Sequence, residues 1–117
     1  MTNSEGNIFL ARRKPGKSLA GKWEFPGGKL EVGESEPECL KRELLEELGM
    51  EVIVHQRVGE NVHKYPAFQI RLIAYRCQLV SATYALTDHD AYEWVKPEEL
   101  LTYDLAEADV PLVRFLL

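Results

Sequence analysis

Residues 28–50 read Gly28-Lys29-Leu30-Glu31-Val32-Gly33-Glu34-Ser35-Glu36-Pro37-Glu38-Cys39-Leu40-Lys41-Arg42-Glu43-Leu44-Leu45-Glu46-Glu47-Leu48-Gly49-Met50. The second half of this stretch carries every local signal of a helix. Ser35 and Glu38 form an S-x-x-E capping box, and Pro37 is tolerated in a first turn. Leu40, Leu44 and Leu48 recur every four residues as a buried stripe, and Gly49 supplies a stop. The spacing predicts a helix over 35–48.

Glu43, Glu46 and Glu47 stand at i, i+3 and i+4, so one side of that helix carries all three. Like charges this close repel, and a bound divalent cation reverses the sign. Magnesium is a hard ion that takes a few carboxylates together with phosphate oxygens. Arg42 can pin a neighbouring carboxylate by a charge-assisted hydrogen bond. Taken alone, three glutamates also fit a solvated acidic face with Lys41 and Arg42 as partners. The preceding Gly27-Gly28, the loop 29–33 and Glu34 add to the first reading. Glycines let a loop fold tightly and bring backbone groups near an ion.

The whole stretch fits G-x5-E-x7-R-E-U-x-E-E-x-G-U, with U apolar. Gly28, Glu34, Arg42, Glu43, Glu46, Glu47 and Gly49 fill the fixed places, and Leu44 and Met50 the apolar ones. This resembles the signature of the Nudix hydrolases, and fixed identities at fixed spacing are far more specific than a lone glycine motif. Leu10-Ala11-Arg12-Arg13, Trp23-Glu24-Phe25-Pro26-Gly27-Gly28-Lys29 and Ala106–Val113 are similar to the MutT-type branch of nucleotide pyrophosphohydrolases. The resemblance spans nearly the whole chain. It implies an α/β (α+β) fold, the Nudix α/β/α sandwich, as a single domain over 1–117. A mixed sheet would lie beside a cleft lined by the helix.

The resemblance also implies roles. Glu46, Glu47 and the Gly27 carbonyl would bind Mg2+, for which Mn2+ could substitute. Glu43 would be a metal ligand or the base for the attacking water, and the sequence leaves both open. Glu34 would orient the loop and Arg42, itself part of the catalytic set. Lys29 would stabilise the transition-state phosphate. Arg13 would hold substrate phosphate, or else be one surface cation beside Arg12, Lys14 and Lys17. Asp88 matches a loop carboxylate near the metal, with His89 and Asp90 as alternatives. Glu24, Phe25, Pro26 and Gly27 would contribute to the substrate site. Tyr65 and Phe68 would wall the base, although aromatics in strands are commonly core. Asp109 stands where the oxidised-guanine enzymes carry Asn, and an ionised Asp only accepts hydrogen bonds. That substitution makes a pyrimidine nucleotide a plausible substrate beside 8-oxo-dGTP.

Outward from the box, strands are predicted over 7–12, 52–63, 68–80 and 91–95, with a short apolar stretch at 23–25. The second and third of these strands form a hairpin around Tyr65-Pro66-Ala67. Residues 97–100 read as one helical turn, and Asp109 as the cap of a last helix over 110–117. By comparison with MutT-type chains, Met1 lies inside the turn that follows their first strand. The resemblance therefore implies a sheet lacking its usual N-terminal strand, with an edge that could favour a dimer.

A net charge of −5 argues against general affinity for nucleic-acid polymers or anionic membranes. No apolar run has the length of a membrane span. Cys39 and Cys77 have no metal-ligand spacing and read as reduced, packed thiols, in keeping with the cytoplasm. The expectation is Mg2+-dependent hydrolysis of a nucleoside triphosphate to monophosphate and pyrophosphate, serving nucleotide-pool sanitisation and so DNA repair. The substrate would be of the 8-oxo-dGTP or CTP/modified dCTP class, and the enzyme a monomer or homodimer. Alternatives are a Nudix hydrolase of ADP-ribose or dinucleoside polyphosphates, and a non-catalytic nucleotide-recognition module.

Overall fold

The computed structural model describes residues 1–17, 19–27 and 31–116. Its strands are β1 (Ile8–Arg13), β2 (Trp23–Glu24), β3 (Met50–Lys64), β4 (Gln69–Ala82) and β5 (His89–Val95). The helix α1 spans Glu36–Leu48, and two 3-10 helices span Pro97–Thr102 and Val110–Phe115.

Helix α1 begins and ends where the sequence places its signals. Ser35 Oγ accepts from the Glu38 amide and Glu38 Oε1 accepts from the Ser35 amide, each at 3.2 Å. Removing such a cap costs about 1 kcal/mol. Gly49 stops the helix in the left-handed region at φ 62°, a conformation that favours glycine. The final 3-10 helix departs from expectation. Asp109 makes no capping hydrogen bond to it. Its carboxylate instead accepts from the Phe25 amide at 2.8 Å, so tertiary contact outcompetes the local cap.

Strand order is β2-β1-β5 in one sheet and β3-β4 in the other, and all these pairs are antiparallel. Parallel pairing is confined to two isolated bridges, Thr2 with Gln78 and Trp23 with Leu105. The first residues join the sheets. The Thr2 amide donates to the Cys77 carbonyl at 2.9 Å, and the Phe9 amide to the Met1 carbonyl at 3.1 Å. Residues 1–2 therefore run between β1 and β4.

Successive side chains of a strand point to opposite faces, and β1 is buried on both. Phe9 and Ala11 pack with Leu44, Leu48, Met50, Val52 and Cys77 on the α1 side. Ile8 and Leu10 pack with Val95, Leu100, Leu105 and Val113 on the side of the 3-10 helices. Cys39 and Cys77 are buried free thiols, as expected.

The segment after β4 hangs on the C-terminal end of α1. The Ala85 amide donates to the Leu48 carbonyl at 3.1 Å, and Thr87 Oγ1 to the Glu47 carbonyl at 3.1 Å. These bonds satisfy helix-end carbonyls that have no partner within the helix. They also set where Asp88 and β5 lie relative to the acidic side of α1.

Candidate active site

Arg42 is the hub of the acidic helix face. Its guanidinium meets Glu34 through Nε at 2.6 Å and Nη2 at 3.0 Å, a two-point fork. Nη1 reaches Glu43 at 2.9 Å and Glu46 at 3.2 Å, with Glu31 at 3.6 Å. The Arg42 hydrogen bonds hold the Glu34 carboxyl down to about 2. Glu34 Oε1 also accepts from the Glu31 amide at 3.1 Å, so the fork fixes the loop before the helix.

Glu47 has the opposite environment. Burial, then a hydrogen bond and charge from Glu43, followed by the charges of Asp88 and Glu24, push its carboxyl up to about 8. Four acids from three segments therefore converge: Glu43 and Glu47 from α1, Glu24 from β2, and Asp88 from the loop before β5. Asp88 pairs with Lys17 at 3.2 Å, and the hydrogen bond from Lys17 is the main cause that lowers its pKa. Among the described residues no three His, Cys, Asp or Glu side chains are already gathered at metal-binding geometry. Glu43 and Glu47 instead share a hydrogen bond, and Glu46 turns outward with its side chain 60% exposed.

The donor chemistry fits a hard divalent cation. All the convergent groups are carboxylates, and the raised pKa of Glu47 marks a place where positive charge is favoured. Gly27 lies beside α1, where a Cβ on it would come 4.0 Å from Leu40. Lys29 and Gly28 lie outside the described residues.

Glu24 connects this cluster with a second niche. Its Oε2 lies 2.9 Å from His89 Nε2 and 3.8 Å from Arg13 Nη1. His89 has a fully buried side chain, and its Nδ1 has no hydrogen-bond partner among the described residues. Glu24 also raises the proton affinity of Asp109, although burial is the larger cause there. Despite the hydrogen bond from the Phe25 amide, Asp109 is pushed up to about 7.

Tyr65 and Phe68 reach the same niche from the hairpin. Their rings lie 5.0 Å apart, and Phe68 is 46% exposed. The Tyr65 hydroxyl accepts from the Ala108 amide at 3.1 Å, next to Asp109. Pro26 is half-buried between Phe25 and Gly27. The structure thus gathers Glu34, Glu43 and Glu46 around Arg42, with Glu47 next to Glu43. Glu24, Arg13 and Asp88 lie beside them, and Phe25, Tyr65, Phe68 and Asp109 form a second group.

Sequence reasoning did not foresee the His89–Glu24 pair or the attachment of Asn61 and His63 to residues 107–108. The available signal was weak. Asn61, His63 and Tyr65 alternate along a strand, and a histidine follows Asp88 at the start of β5.

Comparison with known proteins bears on the family and the fold. The NUDIX domain profile matches residues 1–114. The chain is 41% identical over 110 residues to the CTP pyrophosphohydrolase of Escherichia coli strain K12, covering 94% of this chain and 82% of that protein. It is also 41% identical over 105 residues to the putative 8-oxo-dGTP diphosphatase 2 of Mycobacterium tuberculosis strain H37Rv, covering 87% and 73%. The solution structure of the E. coli ORF135 protein superposes with a TM-score of 0.80 at 39% identity, covering 97% of this chain and 81% of that one.

Proposed function

The chain belongs to the Nudix family of hydrolases acting on phosphorus-containing anhydrides, and from that premise we propose that it cleaves nucleoside triphosphates to monophosphate and pyrophosphate with Mg2+. The observation that carries the reading is the Glu47 environment: partly buried acids from three segments converge where a cation would relieve their repulsion.

Glu43, Glu46, Glu47, Asp88 and the Gly27 carbonyl would hold the ion, and Mn2+ could substitute for it. When bound, such an ion acidifies a water and neutralises charge on phosphate oxygens. Arg42 keeps Glu43 and Glu46 in place through one nitrogen while Glu34 holds its other edge. Glu43, fixed in this way, would accept the proton of the attacking water. Arg13 is the phosphate contact, and Lys29 is a second cation for the transition state.

Asp109 reads the base, with Phe25, Tyr65 and Phe68 around it. Its Oδ2 takes the Phe25 amide, and Oδ1 has no hydrogen bond among the described residues yet is not sealed from solvent. An acceptor in that place suits a base edge bearing an amino group. Cytosine nucleotides such as CTP or a modified dCTP satisfy this, and 8-oxo-dGTP is the competing substrate. The relatives named for CTP and 8-oxo-dGTP support that choice of candidates. The expected setting is the cytoplasmic nucleotide pool.

The test is a panel of CTP, dCTP, 5-methyl-dCTP, 8-oxo-dGTP, the ordinary triphosphates and ADP-ribose, with Mg2+ and with EDTA. The expected result is pyrophosphate plus monophosphate, only with the ion and fastest from a cytosine nucleotide. Release of AMP from ADP-ribose with no triphosphate turnover would sink the reading.

A further inference from the structure

Two alternate residues of β3 and the residue just beyond its end grip the segment that carries Asp109. Asn61 Nδ2 donates to the Ala108 carbonyl at 2.9 Å. The Ala108 amide donates to the Tyr65 hydroxyl at 3.1 Å. Between them His63 Nε2 lies 3.2 Å from Glu107 Oε2. Asn61 and His63, two apart, share one face of β3, and Tyr65 follows directly after the strand, so three side chains converge on one short segment. Ala108 is 2% exposed, so both of its polar groups depend on these partners and not on water.

The clamp sits one residue before Asp109. From the other side the Phe25 amide holds Asp109 Oδ2 at 2.8 Å, and the Asp109 amide donates to the Ala106 carbonyl at 2.9 Å. The carboxyl is therefore fixed from two directions, with Asn61 and Tyr65 setting its backbone and Phe25, just after β2, holding one oxygen. The Tyr65 ring is itself wedged, with its centroid 4.5 Å from His63 and 5.0 Å from Phe68. A polar group selects a base only while its position is fixed, because a mobile acceptor adapts to the wrong edge as readily as to the right one.

We infer that Asn61 and Tyr65 are specificity-determining positioning residues, which hold both polar groups of Ala108 and thereby fix Asp109 against the nucleobase edge. The inference rests on the reading of Asp109 as the base contact. It gives Tyr65 a role through its hydroxyl that stacking alone would not require.

The test measures the affinities of CMP, UMP, AMP and GMP by calorimetry without metal, for the full chain and its Asn61→Leu and Tyr65→Phe variants. The quantity of interest is the ratio of tightest to weakest Kd. The expected result is that each variant shrinks that ratio by about 10-fold, the scale of one net hydrogen bond. Variants that keep the original ratio, or that weaken all four nucleotides equally, overturn the inference. So does a parent chain that binds all four alike. Should Asn61→Leu fail to fold, Tyr65→Phe decides alone, since it removes a single oxygen. A parent chain that ranks the monophosphates but hydrolyses no triphosphate refutes the hydrolase reading and leaves this test intact.

Discussion

Arg42 and Glu34 meet through two hydrogen bonds, Nε to Oε2 at 2.6 Å and Nη2 to Oε1 at 3.0 Å, which leaves Nη1 for Glu43 and Glu46. One planar group thus sets the position of three carboxylates. Arg42→Lys keeps the charge but cannot reproduce the fork. Pyrophosphate release should fall about 100-fold in Arg42→Lys, the scale expected when a catalytic group is misplaced by about 1 Å. Melting temperature should fall modestly, because lysine keeps one charged contact but leaves the partly buried Glu34 and Glu43 short of hydrogen bonds. A lysine variant with parental kcat would show that the fork does not organise the acids.

Glu47 binds its proton more tightly in the fold than in the unfolded chain, with a pKa raised from 4.5 to about 8. Its contribution to stability is therefore full below about pH 4.5 and is lost as pH rises through about 8. In EDTA the melting temperature should decline across that window, and Glu47→Gln should flatten the decline. Mg2+ should release a proton near pH 7, measurable by calorimetry in buffers of different ionisation enthalpy. Equal heats in all buffers would contradict a protonated Glu47.

Asp109→Ala removes the acceptor of the Phe25 amide. An unpaired buried donor costs about 1–3 kcal/mol, so urea unfolding should shift by that amount. Asp109→Asn retains an oxygen and should lose much less stability while changing substrate preference. If Ala and Asn prove equally destabilising, the hydrogen bond to Phe25 is not what the carboxylate provides.

Gly59 lies directly under the ring of Phe115, where an added Cβ would collide with it. Gly59→Ala should cost about 1–3 kcal/mol by overpacking. Combining it with Phe115→Ala should cost less than the sum of the two changes, because the collision disappears. Strict additivity would mean that the ring simply swings aside.

The sequence is most legible where signals are local. The Ser35–Glu38 box and Gly49 mark α1 to within a residue, and the spacing of Glu43, Glu46 and Glu47 puts three acids on one side before any fold is known. Asp109 shows the limit. Its type and its place before Val110 suggest a cap, but the Phe25 amide, 84 residues away, claims the carboxylate. The Glu24–His89 pair joins positions 65 apart, and the Asn61–Ala108 bond positions 47 apart. Contacts of that range depend on how strands are brought together, which side-chain periodicity within one segment does not encode.

Strand β1 serves as a party wall. Phe9 and Ala11 furnish one chamber, Ile8 and Leu10 the other, and neither chamber keeps its lining if that wall is withdrawn. The molecule should accordingly melt as one cooperative unit, with calorimetric and van't Hoff enthalpies in agreement. Heating is then expected to erase the acid cluster and the base niche together.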